Sequence, residues 1–297
     1  MRTNKRRKLH SSNSSKTEDS PSTPNPFPFH HHPTPEECQG VRDSLLAFHG
    51  FPQQFAKYQR NPHSSFVSAS SSSVPCFVSD QVSAEPPNGE TEQLVTSLGG
   101  QKESILDGLI STLLSQNTTD SNSSKAFVSF KSAFPTWEDV LAADSKCVEN
   151  AIRCGGLAAT KASCIKTILR SLLAKRGKIC LEYLRDMSVN EIKAELCSFK
   201  GIGPKTVACV LMFHLQQDDF PVDTHVFRIA KGIGWVPVGA DREKAYHHLN
   251  RRIPNELKFD LNCLLVTHGK ACKKCSKEDD APSNICPVSL YYSSSTN

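Results

Sequence analysis

The sequence predicts an all-α protein that follows an N-terminal tail, and three observations support this prediction. From about residue 98 the apolar residues recur with the period of a helix, and Ile105, Leu109 and Leu113 lie on one stripe together with Thr112. No segment alternates apolar and polar residues in the way of a half-buried strand. Glycine ends a periodic segment where a helix would need a C-terminal stop, as at Gly177.

Composition is that of a protein in water with room for one or two domains in its 297 residues. No run of about 18 apolar residues predicts a transmembrane helix, so we expect no membrane partner. The net charge of +5 is compatible with a nucleic-acid partner but does not establish one. The 12 cysteines are scattered through apolar segments and no apolar leader opens the chain, which indicates free thiols in a reducing compartment.

Residues 1–92 are rich in serine, proline and histidine and are expected to be mostly disordered, because such a composition buries too little apolar surface. The basic cluster Lys5–Lys8 predicts binding to a nuclear import receptor, and therefore a nuclear location. A plastid or mitochondrial transit peptide is the alternative. The serine content favours a transit peptide, whereas Glu18 and Asp19 oppose it.

One part of the tail has helix signals of its own. Thr34, Pro35 and Glu36 form a start and Gly50 a stop, which predicts a short helix over residues 35–50. This helix would either dock on the body or bind a partner. The body itself is expected over residues 93–290, with a short C-terminal tail over 291–297.

The segment FKGIGPKTV, residues 199–207, does not fit a nucleotide-binding phosphate loop. Such a loop needs a lysine directly after its second glycine and a β-strand before it. Here Pro204 separates Gly203 from Lys205, and no strand pattern precedes the segment. The phosphate-loop interpretation is therefore excluded.

The same segment instead predicts a helix, a short hairpin and a second helix, over residues 188–216. Ser188 and Glu191 have the spacing of a capping box for the first helix, which we expect to run to about residue 199. Gly201 and Gly203 permit the positive backbone angles of a tight hairpin, and Pro204 suits the first turn of the second helix. The hairpin amides would then form an anion site for a DNA phosphate.

Downstream, Val222, Asp223 and Thr224 predict an extended entry into another helix, with Asp223 near its N-cap. From this pattern alone Asp223 needs no role beyond capping. Aspartate is a common N-cap residue, so this pattern does not specify one function.

The two segments together closely resemble the helix-hairpin-helix DNA glycosylase superfamily, in its endonuclease III-like branch. Family members have a Gly-x-Gly hairpin with a lysine, followed by a Val-Asp-Thr segment, and Asp223 follows Lys205 by the family's 18 residues. Further matches are LLSQNTTD, GGLAATKASCI and LVTHGKAC, and some motifs are most similar to the much larger plant DEMETER-type glycosylases. The resemblance implies two helical subdomains with a DNA-binding cleft between them.

The resemblance also implies roles for individual residues. Asp223 would stabilise the positive charge that develops on the sugar when the base leaves, and Lys205 would attack C1′ to form a Schiff base. An amine in water is mostly charged at neutral pH, so burial or nearby cations would have to free its lone pair. Without that nucleophilic role, Lys205 would be a surface lysine that contacts phosphate.

Several further residues are implied as DNA contacts: Gly201, Gly203, Lys205, Thr206, Gln116 and Asn117. Gln116 or Asn117 would fill the gap that a flipped base leaves in the duplex, and the register between these two stays open. Either could instead simply cap the preceding helix. His225 and Arg228 also match the family pattern, in roles that could be structural.

The C-terminal cysteines depart from the family pattern. Endonuclease III-type proteins commonly bind a [4Fe–4S] cluster through Cys-x6-Cys-x2-Cys-x5-Cys, whereas Cys272, Cys275 and Cys286 give Cys-x2-Cys-x10-Cys. One of the usual four ligands is missing, so a normal cluster is not expected and the chemistry would need no cofactor. Cys263 is a candidate fourth thiol on an apolar segment, and a site with three cysteines and another ligand, such as zinc, is the alternative.

The predicted function is a monomeric DNA N-glycosylase with associated abasic-site lyase activity, acting on double-stranded DNA with a damaged or modified base. The base could be an oxidised pyrimidine or 5-methylcytosine, because these motifs do not report the shape of the pocket. A monofunctional glycosylase or a non-catalytic DNA-binding protein are the alternatives. Backbone binding alone would require neither Lys205 nor Asp223.

Overall fold

The computed structural model describes residues 24–59, 103–276 and 286–291, and every regular element in these ranges is helical, which confirms the all-α class. The α-helices are α1 Pro35–His49, α2 Ile105–Leu114, α3 Asp120–Ala133, α4 Trp137–Ala142, α5 Ser145–Ala151, α6 Ala158–Arg176, α7 Val189–Cys197, α8 Pro204–Cys209, α9 Thr224–Gly232, α10 Arg242–Arg252, α11 Asn255–Ala271 and α12 Lys273–Ser276. Short 3₁₀ helices span Gln53–Tyr58, Arg153–Gly155, Glu182–Asp186 and Ser289–Tyr291, and α8 continues as a π-helical turn over Val210–His214.

Local sequence sets the helix ends. Side-chain oxygens accept hydrogen bonds from backbone amides at the starts of α1, α2, α3, α7, α9 and α10, where the capping residues are Thr34, Ser104, Thr119, Ser188, Asp223 and Asp241. Ser188 and Glu191 form the capping box that the sequence predicts, and Gly177 ends α6 with a φ of 67°. Helix α7 ends at Cys197, two residues before the predicted end.

Two hydrophobic cores divide the helices into two subdomains. The first core is built by α2 to α8 and includes Leu109, Ile165 and Leu169. The second core is built by α1 and α9 to α11 and includes Trp235 and Leu261. The chain passes from one core to the other in the π-helical turn, where neighbouring side chains enter different cores.

Helix α1 belongs to the second core. Its residues Cys38, Val41 and Leu45 are fully buried, mainly against α11. The chain before α1 is also attached, because Nε2 of His248 lies 2.6 Å from the carbonyl oxygen of His32. Residues 24–59 thus pack on the body, although the sequence places them in a tail and begins the domain at residue 93.

The composition of this segment does not predict its packing on the body, because only one narrow face of α1 is apolar. That face is buried only when α11 covers it. The rest of the expected tail, including Lys5–Lys8, lies outside the described residues, as do residues 292–297. Among the helices of the described ranges, none is both long and apolar enough to cross a bilayer.

Candidate active site

The hairpin between α7 and α8 contains two glycines that differ in their backbone. Gly201 has a φ of 91°, and a Cβ there would lie 2.6 Å from Sγ of Cys164, so the position requires glycine. Gly203 has a φ of −97° and a ψ of 171°, which is extended backbone. Of the two glycines that permit positive angles, Gly201 takes one and Gly203 does not, because one left-handed residue completes the turn and Gly203 already forms the N-cap of α8.

A Cβ at Gly203 would meet no atom of residues 24–59, 103–276 or 286–291 within 4 Å. Packing within the protein therefore does not explain why glycine occupies this position. Pro204 follows at the first position of α8, as the sequence predicts. The backbone at this point faces open space at the start of a helix.

The end of α2 lies against the start of α8. Nε2 of Gln116 donates a hydrogen bond of 2.9 Å to Oγ1 of Thr206, which is buried directly after the exposed Lys205. Asn117 is exposed and has a left-handed φ of 51°. The two candidates for gap filling thus differ, because the side chain of Gln116 is hydrogen-bonded to Thr206 whereas Asn117 is exposed to solvent.

A buried lysine, which is not among the predicted site residues, attaches the end of α2 to the loop before α6. Nζ of Lys161, on α6, donates hydrogen bonds of 2.7 Å to the carbonyl oxygen of Leu114 and 2.8 Å to that of Gly155. Burial lowers the pKa of Lys161. The available signal was a lone lysine one turn into an otherwise small and apolar helix start, in GGLAATKASCI.

Leu157 lies in the loop that Lys161 attaches to the end of α2. Its side chain is 57% exposed and its φ is 50°, a left-handed conformation that is uncommon for a residue other than glycine. An apolar side chain that is exposed and held in a strained backbone is a frequent property of functional positions. Leu157 has no signal in the sequence, because its strain is visible only in the backbone angles.

Asp223 caps α9, as predicted, and is half-buried. Its Oδ1 accepts a hydrogen bond of 2.8 Å from the amide of Val226, whereas its Oδ2 accepts none from the described residues. Burial raises the pKa of Cys209 to about 11, and the charge of Lys205 opposes this rise while that of Asp223 adds to it. Lys205 and Asp223 therefore both lie within electrostatic range of the same thiol.

A cavity of about 470 Å³ opens where the two cores meet. It is lined by residues of α7, of the start of α8 and of α10, among them Lys193, Lys205 and Tyr246, and by Val222 next to Asp223. The cleft between two subdomains that the family resemblance implies thus has a counterpart here, with Lys205 on its wall.

A buried carboxylate connects the two sides of this cavity. Asp219 is 1% exposed, and its Oδ2 lies 2.8 Å from Nζ of Lys193 on α7 and accepts a 3.0 Å hydrogen bond from the hydroxyl of Tyr246 on α10. Burial raises the pKa of Tyr246, and the charge of Asp219 raises it further. These contacts fix the spacing of α7 and α10.

His225 and Arg228 have a structural position. Nδ1 of His225 lies 2.8 Å, and a guanidinium nitrogen of Arg228 lies 3.3 Å, from the carbonyl oxygen of Gly269. A Cβ at Gly269 would come within 2.6 Å of His225, so α9 and α11 pack closely at this point. Both side chains tie α9, which begins at Asp223, to α11.

The three cysteines of the predicted metal site come together at the end of α11, and His268 joins them. One ligand atom from each of His268, Cys272, Cys275 and Cys286 lies within 4.8 Å of the others, so the group could bind a metal ion. Cys263 is buried on α11 and is not part of the group, which excludes it as the missing ligand. The sequence signal for His268 was its place one helical turn before Cys272.

Comparison with known protein families gives one matching model, that of the HhH-GPD superfamily base excision DNA repair proteins, over residues 110–255. A provisionally named DNA glycosylase of Arabidopsis thaliana is 56% identical over 90% of this chain and 89% of its own length. The DNA glycosylase/AP lyase ROS1 of Arabidopsis thaliana is 33% identical over 51% of this chain, which spans only 12% of that protein. Endonuclease III of Sulfolobus acidocaldarius is 28% identical over 62% of this chain and 81% of its own length.

Solved structures agree with these sequence matches. A non-covalent endonuclease III–DNA complex has a TM-score of 0.55 at 24% identity, covering 64% of this chain and 84% of that chain, which shows the shared fold. A trapped endonuclease III–DNA covalent intermediate has a TM-score of 0.53 at 25% identity, covering 63% and 82% of the two chains.

Proposed function

The chain belongs to the HhH-GPD superfamily of base excision DNA repair proteins, and on this premise we propose that it is a DNA glycosylase with associated abasic-site lyase activity. The observation that carries the proposal is that Lys205 and Val222, the residue directly before Asp223, line the same cavity where the two cores meet. A DNA-binding protein without catalysis would need neither an amine nor a carboxylate at this place.

Asp223 supplies the negative charge that base removal requires. When the base leaves with the electron pair of the N-glycosidic bond, the sugar acquires oxocarbenium character, which a nearby carboxylate stabilises. Oδ1 of Asp223 is occupied by the cap of α9, whereas Oδ2 accepts no hydrogen bond from the described residues. We therefore assign the electrostatic role to the carboxylate through Oδ2.

Lys205 supplies the nucleophile. Its lone pair attacks C1′ as the base departs, and ring opening then gives a Schiff base between Nζ and C1′. Loss of a proton from C2′ and departure of the 3′ phosphate cleave the strand, and water finally releases the amine. Lys205 is exposed in the free protein and lies on the wall of the cavity, so a nucleotide in the cavity would have access to its amine.

We propose that two adjacent loops, at the end of α2 and before α6, also contact the duplex. Asn117 is exposed, and we assign to it the filling of the gap, with Gln116 as the positioning residue that is bonded to Thr206. The exposed Leu157, which Lys161 holds next to this loop, would enter the base stack as an apolar wedge.

The experiment that tests the proposed function compares two aspartates that both cap a helix. Asp223 and Asp241 both cap a helix through Oδ1, and asparagine keeps that oxygen in either place. Asp223→Asn is expected to bind DNA normally and to lower base release by about 10³-fold or more, whereas Asp241→Asn should leave base release unchanged. The substrates are duplexes that each contain one modified base, including an oxidised pyrimidine and 5-methylcytosine.

Release of either base identifies the substrate class, and release of none by the wild-type protein would refute glycosylase activity. Equal losses of DNA binding and catalysis in Asp223→Asn, together with a lower melting temperature, would reduce Asp223 to a structural cap.

We further propose that the protein acts as a monomer in the nucleus and that Lys5–Lys8 bind an import receptor. Replacing these residues in a fluorescent fusion should abolish nuclear accumulation.

A further inference from the structure

The side chains at the C-terminal end of α11 have the composition of a closed metal site. Three thiols and one imidazole converge there: Cys272 follows the last residue of α11, Cys275 lies on α12, Cys286 follows in the chain, and His268 lies in the last turn of α11. His268, Cys275 and Cys286 are buried and Cys272 is half-buried. We propose that these four side chains bind a single tetrahedral zinc ion.

The distances between the ligand atoms fit one ion. With Zn–S bonds of about 2.3 Å and Zn–N bonds of about 2.0–2.1 Å, tetrahedral geometry places two sulfurs roughly 3.8 Å apart and a sulfur and a nitrogen roughly 3.6 Å apart. Sγ of Cys275 and Sγ of Cys286 are separated by 3.7 Å. Nε2 of His268 lies 3.4 Å from the first of these sulfurs and 3.5 Å from the second.

The same distances do not fit a [4Fe–4S] cluster, which the resemblance to endonuclease III-type proteins implies. The four ligands of such a cluster bind four different iron atoms at the corners of a cube, which separates the ligand atoms by roughly 6 Å. All four ligand atoms here lie within 4.8 Å of one another. One of them is also an imidazole nitrogen, where the cluster normally takes a fourth thiolate.

The ligand set selects zinc and a structural role. Three thiolates with one imidazole form a Cys3His site, one of the recurring structural zinc sites, whereas oxygen-binding cations avoid thiolates. Four protein ligands also leave no position for water or substrate. The ion would therefore hold Cys286 and the residues after it against α11, and we derive no catalytic step from it.

A fifth residue positions the imidazole. Nδ1 of His268 lies 2.9 Å from Nε2 of His49, the last residue of α1. With the metal on Nε2, Nδ1 carries the proton and donates it to His49, which fixes the orientation of the ring. His49 thereby connects α1, in the segment that composition assigns to a tail, with the metal site.

The first test uses the full-length wild-type protein and needs no variant. We expect about one zinc and almost no iron per chain by elemental analysis, also after anaerobic incubation with iron and sulfide. X-ray absorption at the zinc edge should show three sulfurs at about 2.3 Å and one nitrogen at about 2.0–2.1 Å. Four irons with sulfide, a zinc shell without nitrogen, or protein without bound metal would each overturn the proposal.

Variants then assign the ligands. His268→Ala should lose zinc in competition with a chelator, whereas Cys263→Ala, which removes a buried thiol of the same helix outside the group, should retain it. His49→Ala should lower zinc affinity by about 10- to 100-fold, and His49→Gln, which keeps an acceptor, should restore most of it. Unchanged zinc affinity in His268→Ala would exclude His268 as a ligand.

Discussion

An added methyl group should have different effects at the two glycines of the α7–α8 hairpin: Gly201→Ala should lower stability, whereas Gly203→Ala should lower DNA affinity. In Gly201→Ala the left-handed backbone costs about 1–2 kcal/mol, and Sγ of Cys164, which would lie 2.6 Å from the new Cβ, adds about 1–3 kcal/mol of overpacking. The free energy of unfolding should therefore fall by about 2–5 kcal/mol. At about 2–4 °C per kcal/mol, the melting temperature should fall by roughly 4–20 °C.

Gly203→Ala should leave stability nearly unchanged. Its φ of −97° suits alanine, and a Cβ would meet no atom of the part of the chain that the structure describes. The loss of a favoured N-cap glycine is offset by the lower entropy of the unfolded chain. DNA affinity should fall at least tenfold, because a methyl group would keep phosphate from the hairpin amides and each charge-assisted hydrogen bond contributes about 1.5–3 kcal/mol. Thermal unfolding and fluorescence anisotropy with an abasic-site duplex measure the two quantities. If Gly203→Ala binds DNA as wild type does, the hairpin is not the phosphate clamp.

Three further predictions concern stability. Deleting residues 1–59 should lower the free energy of unfolding by several kcal/mol, because the buried face of α1 is lost, whereas deleting residues 1–23 should have little effect; equal stabilities would show that α1 does not dock. Asp219→Asn should cost about 2–3 kcal/mol in chemical denaturation, since Lys193 loses its buried carboxylate partner, and the exposed neighbour Asp218 changed to asparagine serves as the control. Burial lowers the pKa of His214 to about 4. Below about pH 6.5 the histidine is therefore protonated in the unfolded chain but still neutral in the folded chain, so the free energy of unfolding should decrease as the pH falls from about 6.5 to about 4. His214→Leu should flatten this dependence in urea titrations, and an unchanged slope would contradict it.

The sequence predicted the parts of the fold that depend on local chemistry. Helical periodicity gave the all-α class, and the caps at Ser188 and Asp223 and the stop at Gly177 placed helix ends to within a few residues. These features depend on residues that are neighbours in the chain. The same property explains why the hairpin at Pro204 could be located before any tertiary contact was known.

The parts that depend on tertiary contacts could not be predicted in this way. Lys161 was overlooked because its partners are backbone carbonyls, one of them 47 positions away, and His268 became a ligand candidate only when Cys286 folded back beside it. Docking of α1 depends on an apolar face of α11 more than 200 residues later. The extended angles at Gly203 likewise follow from the helix that begins there, not from the glycine itself.

The proposed reaction depends on a Schiff base between Lys205 and C1′ of the damaged nucleotide. Borohydride reduces this intermediate, so adding it during turnover on an abasic-site duplex should lock protein and DNA together, and the modified peptide should contain Lys205. Lys205→Gln should give no adduct and no strand cleavage while DNA binding weakens only modestly. Lys200→Gln, at an exposed lysine of the same hairpin, should form the adduct as wild type does. An adduct on another lysine, or a wild-type protein that releases bases without any adduct, would contradict the proposed reaction, and the second result would indicate a monofunctional glycosylase in which Asp223 activates water.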